Sequence, residues 1–424
     1  MISALVPIFF SLLLFGLPIF AALALAVTAA LYFFGGIDPL VVPMRMFSGM
    51  NNFSLMSIPF FILAAELMRI GGLSDRLIEL AKALIGWLPG GLAAATVLAC
   101  LFFGSISGSS PATVIAIGTI MYPAMVAAGY NKYFSIGLIA TAGTLGPIVP
   151  PSIALIIYGS VTGTSVGKLF AGGLLPALLI GGLLIAYTTW YAIRNNYARD
   201  PFPSLRQIGA AFKRSAWGLG LPVILLGGIY SGVFTPTESA ATACLYGWFV
   251  GAVVYRSIGF RALLEILRNT GLLSGTLLLI TAGASAFSWI LASTGTPTQI
   301  ASEVLSSTDS PILIMLLFNV IMLIAGCFLD SASAIIILAP LMQPIAAQVG
   351  VDAVHFGIIT LVNLSVGMLT PPVGLNLFVA MGVAKMTLYE IFRAALPTIC
   401  LMLVALLLIT YIPAISTLLP NALY

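Results

Sequence analysis

Two apolar stretches of the sequence are interrupted by glycine, proline and small residues that carry side-chain oxygens. In the first, GSISGSS precedes GTLGPIVPPS, and in the second, GCFLDSASA precedes SVGMLTPPVG. Tandem prolines lack amide hydrogens and clash with the preceding helical turn, so nearby carbonyls lose their helical partners. Carbonyls at the end of a half-helix carry partial negative charge and suit a hard cation such as Na⁺. The chemistry predicted here is cation coordination by oxygen.

Each stretch offers its own set of candidate oxygens, drawn from the carbonyls of the break and from the residues of the preceding turn. The first set is Gly146, Val149, Pro150, Ser105, Ser107, Ser109 and Ser110. The second set is Gly326, Gly367, Thr370, Pro371, Asp330, Ser331 and Ser333. Two sets predict two similar cation sites. The alternative is that glycine and proline only kink the helices, but duplication of the whole pattern favours a site.

Asp330 is a carboxylate placed deep in apolar sequence, where ionisable groups are costly and usually functional. It could bind a cation, accept a hydrogen bond from a substrate, or cap the helix that begins with SASAIII. Both the structural and the ligand interpretation stay open. Elsewhere, Glu238 fits a helix-capping pattern, and Glu66 and Arg69 have the spacing of an ion pair near the end of a span.

The two stretches share a common register, which indicates internal duplication. A shift of 221 residues aligns the following pairs: Pro123 with Pro344, Gly129 with Gly350, Gly146 with Gly367, Pro150 with Pro371, Pro151 with Pro372, and Pro176 with Pro397. More prolines coincide at this shift than random placement would produce. Whether the repeats run parallel or inverted is left open by the order of the loops.

The composition predicts an all-α polytopic membrane protein. Hydrophobic residues make up 61% of the 424 residues, charged residues 7%, and the mean hydropathy is +1.16. Apolar runs of about 20 residues match the thickness of a bilayer. The basic residues lie in loops and report orientation, so the net charge of +4 predicts no nucleic-acid partner. The chain has one histidine and neither an HExxH sequence nor a P-loop, so no enzymatic activity is expected.

The elements that would position these residues form two repeats. The first repeat, residues 1–193, contains scaffold helices and three special elements: an amphipathic helix at 73–88, a re-entrant hairpin at 105–128 and a broken helix at 133–158. The apolar and charged residues of the amphipathic helix alternate with helical spacing, which predicts that it lies at the membrane interface.

A basic linker at 194–215 separates the repeats. Its five basic residues and single acidic residue predict a cytoplasmic location. The second repeat, residues 216–424, contains scaffold helices, a hairpin at 327–349 and a broken helix at 354–378.

Four motifs together resemble the large membrane subunit of tripartite ATP-independent periplasmic (TRAP) transporters. They are GSISGSSPATVIAIG, GTLGPIVPPSIALIIYG, GIYSGVFTPTESAA, and MLTPPVGLNLFVA followed by RAALP. The resemblance extends over essentially the whole chain. It implies a Na⁺-driven secondary importer of organic acids in the bacterial inner membrane, with inverted repeats and an elevator-type moving domain. It also implies two partners, a small four-helix membrane subunit and a periplasmic substrate-binding protein.

The resemblance also implies roles for individual residues. One Na⁺ site would use Ser105, Ser107, Gly146, Val149 and Pro150. The other would use Gly326, Gly367 and Thr370. The substrate would lie near Ser109, Ser152 and Asp330, between the hairpin tips. No organic cofactor is implied.

The identity of the organic acid stays open between C4-dicarboxylates, sialic acid and other sugar acids. Neither hairpin and neither break contains Arg or Lys, so hydroxyls, amides and helix N-termini would have to bind the carboxylate. One alternative is a stand-alone Na⁺/dicarboxylate symporter of related fold. A second is a membrane scaffolding subunit without a site of its own.

Overall fold

A computed structural model describes residues 2–51, 53–197, 199, 201–295, 299 and 310–424. The regular elements of this part of the chain are helical. The helices of the first half are α1 (Ile2–Leu14), α2 (Ile19–Ala30), α3 (Val41–Met50), α4 (Ser57–Ile70), α5 (Leu73–Ile85), α6 (Gly91–Ser107), α7 (Ser110–Ala127), α8 (Lys132–Ala142), α9 (Leu145–Ile148), α10 (Ile153–Thr162) and α11 (Val166–Arg194).

The second half contains the helices α12 (Leu205–Tyr230), α13 (Pro236–Phe249), α14 (Phe260–Ser293), α15 (Pro311–Phe328), α16 (Ser331–Gln348), α17 (Ala353–Gly367), α18 (Leu375–Ala384), α19 (Leu388–Tyr411) and α20 (Ala414–Leu423). Among the described helices, six are long and apolar enough to cross a membrane, or up to eight if each bent pair counts as one span. This confirms the prediction of an all-α polytopic membrane protein.

The first hairpin consists of α6 and α7, which reverse direction at Gly108 and Ser109. Gly108 has a φ of +58°, a left-handed conformation that glycine adopts without strain, and Ser109 is extended. The predicted range of 105–128 covered the turn and the second arm but omitted the first arm, which begins at Gly91. The polar interruption in the sequence marks the turn, whereas the first arm has the composition of an ordinary apolar span.

The second hairpin consists of α15 and α16, which are joined at Leu329 and Asp330. The predicted range of 327–349 again began at the interruption and omitted most of the first arm, which starts at Pro311. The reason is the same, since α15 is apolar up to its last turn except for Asn319.

Each broken helix is interrupted at its tandem prolines. The first runs through α8 and α9 and resumes as α10, bent by 44°, and ends at Thr162 rather than at 158. The second runs through α17 and resumes as α18, which ends at Ala384 rather than at 378. The Pro150–Pro151 and Pro371–Pro372 peptide bonds are both cis.

The two hairpins approach from opposite ends of α11, which is roughly 43 Å long at 1.5 Å per residue. At the base of the first hairpin, the Asn131 amide donates to Tyr197 Oη at 3.1 Å, just beyond the C-terminal end of α11. Near the base of the second hairpin, Tyr158 Oη donates to the Ala353 carbonyl at 3.0 Å, close to where α11 begins. The hairpins therefore point toward each other. The elevator movement stays a prediction.

The basic linker is shorter than predicted. Only 195–204 lie between α11 and α12, because a capping box of Ser204 and Gln207 begins α12 there. The basic residues that suggested a loop at 205–215 belong to the first turns of α12, and Ala198 and Asp200 of the linker lie outside the described residues. The amphipathic helix is α5, which ends at Ile85 rather than at 88 and is bent by 73° from α4.

Candidate functional site

The tips of the two hairpins and the two helix breaks enclose one cavity of about 310 Å³. Scaffold helices α4 and α14 close its remaining side. Most of its lining is apolar, and the polar and charged residues among the lining are Ser107, Ser109, Ser110, Asp330, Ser331, Thr276, Glu66 and Arg69. Elements that are far apart in sequence therefore contribute to a single, mostly apolar space with a few polar groups, which is the usual form of a small-molecule site.

Three residues at the tip of the first hairpin form a compact hydrogen-bond network. Thr113 Oγ1 donates to the Ser109 carbonyl at 2.8 Å and lies 2.9 Å from Ser107 Oγ. The Ser107 hydroxyl also lies 3.3 Å from the Ser109 carbonyl, and it accepts from the Ser109 amide at 3.4 Å. The network fixes the position of Ser107 Oγ at the tip.

The first break packs backbone to backbone against this hairpin. A Cβ atom on Gly146 would lie 2.6 Å from the Ser109 carbonyl oxygen and 2.7 Å from Thr113 Oγ1. Only glycine permits this approach. The structure thus brings Gly146, and the buried Val149 and Pro150 that follow it, to the hairpin that carries Ser107.

Ser105 lies on the same hairpin, half-buried near the end of α6. Its hydroxyl donates to the Phe102 carbonyl at 2.7 Å, within its own helix. The hydroxyl hydrogen is therefore used, whereas the lone pairs of the oxygen stay free to accept.

The second hairpin and the second break meet in the same way. A Cβ atom on Gly326 would lie 3.0 Å from Gly367 Cα. The Thr370 amide donates to the Gly367 carbonyl at 2.8 Å, and Cys327 O accepts from the Gly374 amide at 3.1 Å. The three residues predicted for a second cation site, Gly326, Gly367 and Thr370, are therefore held at one junction.

Asp330 caps α16. Its Oδ2 atom accepts from the Ala332 amide at 3.0 Å and from the Ser333 amide at 3.3 Å, while the Ser333 hydroxyl donates to Oδ1. The capping interpretation is confirmed, and ligation stays a prediction. Asp330 also lines the cavity, and the cap holds both of its carboxylate oxygens in place there.

Ser109 and Asp330 share the cavity, but Ser152 does not line it. Ser152 is completely buried and caps α10, where its hydroxyl accepts from the Leu155 amide at 3.3 Å. The next two residues, Ile153 and Ala154, line the cavity instead. Ser152 thus orients the start of α10 beside the site.

The cation that the hairpins and breaks lack is supplied by α4. Arg69 pairs with Glu66 through two hydrogen bonds, Nη2 to Oε2 at 2.8 Å and Nε to Oε1 at 3.2 Å, and both side chains line the cavity. The sequence predicted this pair at the end of a span but did not predict that it lies beside the hairpin tips. A charge pair so near an apolar segment is the signal that could have located it.

Asn376, on α18, is a further residue that sequence reasoning missed. Its Nδ2 atom donates to Ser110 Oγ and to the Ala140 carbonyl at 3.3 Å, and its side chain is fully buried. A carbonyl only accepts, so Ala140 fixes which end of the amide faces Ser110. Ser110 Oγ must then accept from Asn376, so this bond does not use the hydroxyl hydrogen of Ser110, which lines the cavity.

We expect Asn376→Leu to raise the half-saturating substrate concentration for uptake by about threefold to tenfold, the effect of one hydrogen bond. Ser110→Ala should do the same, because both changes remove one oriented donor. The measurement is a series of initial uptake rates in proteoliposomes for both variants and for the double variant. The double variant should be no worse than either single variant, and additive effects would contradict this coupling.

Comparison with known proteins identifies the family. The family described as "Tripartite ATP-independent periplasmic transporter, DctM component" matches residues 6–415. The C4-dicarboxylate TRAP transporter large permease protein DctM of Rhodobacter capsulatus is 41% identical, over 97% of each chain. The isethionate TRAP transporter permease protein DctMQ of Oleidesulfovibrio alaskensis is 44% identical over 95% of this chain, which covers 64% of that longer protein.

Among solved structures, the crystal structure of the Alcanivorax borkumensis YdaH transporter matches with a TM-score of 0.63. The match covers 89% of this chain and 88% of that one at 17% identity, so the likeness is one of fold. The family match spans both hairpins, both breaks and the cavity between them. The chain therefore belongs to the DctM family: it is the large permease subunit of a tripartite ATP-independent periplasmic transporter, an integral inner-membrane protein and not an enzyme.

Proposed function

We propose that this chain is the translocation subunit of a Na⁺-coupled importer of organic acids. The observation that carries the proposal is the meeting of both hairpin tips, both helix breaks and the Arg69–Glu66 pair around one cavity. The arrangement offers oxygen ligands for cations next to a guanidinium group for an anion. A symporter needs both kinds of site, and the two must be coupled so that each ligand affects the binding of the other.

Two groups of oxygens would hold the cations. The first comprises the hydroxyls of Ser105 and Ser107 and the carbonyls of Gly146, Val149 and Pro150, and the second comprises Gly326, Gly367 and Thr370. A proline lies four residues after Gly146 and another lies four residues after Gly367. Proline has no amide hydrogen, so it cannot donate to the carbonyl four residues before it. Among the described residues, no cluster of three or more His, Cys, Asp or Glu could hold a metal. Neutral oxygens of this kind suit an alkali cation better than a transition metal.

The substrate would bind between the tips. Arg69 would pair with an acidic group, Ser109 and Ser110 would contribute hydroxyls, and Asp330 would accept a hydrogen bond from a substrate hydroxyl or amine. The relatives are named for C4-dicarboxylates and for isethionate, which share an anionic group, carboxylate or sulfonate, on a small skeleton. An organic acid is therefore the proposed substrate class for this chain.

A large TRAP permease works with a substrate-binding protein and usually with a small membrane subunit. For this chain we propose a periplasmic binding protein and a four-helix membrane subunit as the partners. The greater length of the DctMQ relative supports the second partner, because this chain covers only 64% of it. The soluble partner would then select among organic acids, and the membrane cavity would recognise their shared anionic group.

The test is uptake of radiolabelled succinate and N-acetylneuraminate into liposomes that contain this chain and its small subunit. We expect uptake only when an inward Na⁺ gradient and the loaded binding protein are both present. Uptake that needs the gradient but not the binding protein would indicate a stand-alone symporter. Uptake that is independent of Na⁺ would contradict the proposed cation sites.

Ser107→Ala should raise the half-saturating Na⁺ concentration by about tenfold, since it removes one neutral oxygen ligand. The matched control is Ser239→Ala, which removes a buried hydroxyl that donates to the Leu225 carbonyl in the scaffold. The control should lose some stability but keep its Na⁺ dependence. Equal Na⁺ dependence in the two variants would remove Ser107 from the site.

A further inference from the structure

A second and larger cavity, of about 630 Å³, lies beside α3 and is separate from the hairpin cavity. Its walls come from α3, the end of α10, the second half of α14 and the middle of α16. The polar and charged residues among its lining are Arg45, Ser48, Asn51, Ser160, Thr281, Ser285 and Ser288. No residue of the predicted cation or substrate sites lines it.

The two cavities are arranged in sequence along α14. Leu273, Thr276 and Leu277 line the hairpin cavity, whereas Thr281 to Ala292 line the second one. At 1.5 Å per residue the centres of the two sets lie roughly 17 Å apart along the helix. The first turns of α14 carry Arg261 and Arg268, which the positive-inside rule assigns to the cytoplasm. The second cavity therefore lies on the periplasmic side of the hairpin cavity.

Arg45 is the charged residue of the second cavity. Its guanidinium carbon lies 4.9 Å from the centroid of the Trp289 ring. No acidic residue lines this cavity, and among the described residues Arg45 has no ion pair. Arg69 in the hairpin cavity differs, because Glu66 already occupies its guanidinium group. Within the described part of the chain, the positive charge of Arg45 thus has no acidic partner.

Two of the hydroxyls that line the second cavity donate within their own helix. Thr281 donates to the Leu277 carbonyl and Ser285 to the Thr281 carbonyl, both at 2.9 Å, so those hydrogens are used within α14. Among the described residues that line this space, the guanidinium group is the one charged donor. An arginine whose face is stacked on an aromatic ring keeps its edge free for two parallel hydrogen bonds to a carboxylate.

We propose that the second cavity is a periplasmic vestibule, in which Arg45 binds a carboxylate of the organic acid before the acid reaches the hairpin cavity. The substrate class rests on the proposed function, whereas the site itself rests on Arg45, Trp289 and the position of the cavity. Among the described residues, the vestibule is lined by one cation, Arg45, and by no acidic side chain. It captures an acid weakly and releases it inward to the site that contains Arg69.

The first experiment monitors Trp289, because the ligand would bind beside its ring. The chain and its small subunit are placed in phosphatidylcholine nanodiscs, and tryptophan emission is followed during titration with succinate. We expect a saturable change that is lost in Trp289→Phe, weakened at least tenfold in Arg45→Gln, and partly retained in Arg45→Lys. The matched control is Arg194→Gln, since Arg194 stacks on Trp190 at 5.6 Å on the cytoplasmic side. The control should behave like the parent.

A second arm separates a soluble acid from a lipid headgroup, since both present anionic oxygens. Phosphatidylglycerol nanodiscs should leave the succinate response in place. If phosphatidylglycerol abolishes that response, or if succinate produces no change that depends on Arg45, the vestibule proposal is wrong.

Transport then tests the role of the vestibule in uptake. Arg45→Gln should raise the half-saturating concentration of loaded binding protein by about tenfold, and efflux of preloaded substrate should be unaffected. If Arg45→Gln changes neither the half-saturating concentration of loaded binding protein nor efflux, the proposal is wrong. Arg69→Gln separates the two proposals: it should lower uptake at subsaturating substrate by about tenfold to hundredfold but keep the Trp289 response. Normal uptake by Arg69→Gln would refute the anion site of the hairpin cavity and leave the vestibule standing.

Discussion

Replacement of Gly367 by alanine should lower the thermal stability of the purified protein and reduce uptake by about tenfold to hundredfold. A Cβ atom at this position would lie 2.6 Å from Gly326 Cα and 3.0 Å from the Leu323 carbonyl oxygen. Both are backbone atoms that no rotamer change can move, so α15 and α17 must separate. Overpacking of this kind costs about 1–3 kcal/mol, and here it also displaces the carbonyls proposed to bind a cation.

The matched control is Gly182→Ala in α11. No atom lies within 4 Å of a Cβ atom at that position, and alanine is the better helix former by about 1 kcal/mol. We expect the control to transport normally and to melt at the same temperature or slightly higher. Gly146→Ala, which makes the corresponding contact in the first half, should resemble Gly367→Ala. Normal melting and uptake in Gly367→Ala would show that the close contact does not organise the site.

Arg69→Gln should lower uptake at subsaturating substrate by about tenfold to hundredfold, because it removes the guanidinium group proposed to bind the substrate's acidic group. Glu66→Gln should have the opposite effect on affinity. It frees Arg69 from its internal counterion, so the half-saturating substrate concentration should fall by about threefold. Initial uptake rates over a range of substrate concentrations, at fixed Na⁺, measure both changes.

The opposite effects expected for Arg69→Gln and Glu66→Gln on uptake distinguish a role in substrate binding from a structural role. The side chain of Arg69 is 41% exposed and that of Glu66 17%, and such a partly exposed pair contributes at most about 1 kcal/mol to stability. If the pair only held α4 in place, both substitutions would impair uptake to a similar small extent. That result would leave the cavity without a cation for the acid.

The predictions from sequence that the structure confirms concern contacts a few residues apart. Asp330 caps α16, Thr235 and Glu238 form a capping box, and Glu66 pairs with Arg69. Each interaction is set by spacings of three residues on a single helix, where geometry follows directly from the 3.6-residue turn. Tandem prolines likewise located both breaks, because their effect on a helix is local.

The residues that sequence reasoning missed act over long distances in the chain. Asn376 contacts Ser110 across 266 positions, and Arg69 reaches the hairpin cavity only because α4 packs beside the hairpin tips. The first arms of both hairpins were missed for a related reason. An apolar helix that ends at a tip in the middle of the protein has the same composition as one that crosses the membrane.

The sequence by itself determined that the chain is an all-helical membrane protein, which family it resembles, and where tandem prolines interrupt its helices. Those properties follow from composition and from local backbone chemistry. Only the tertiary structure decided which groups share a cavity, including the placement of Arg69 and Arg45 in two different cavities and of Ser152 outside the first. Which groups share a cavity depends on how the helices pack side by side. Packing brings together residues that are far apart in the sequence, and nothing in their spacing indicates the contact.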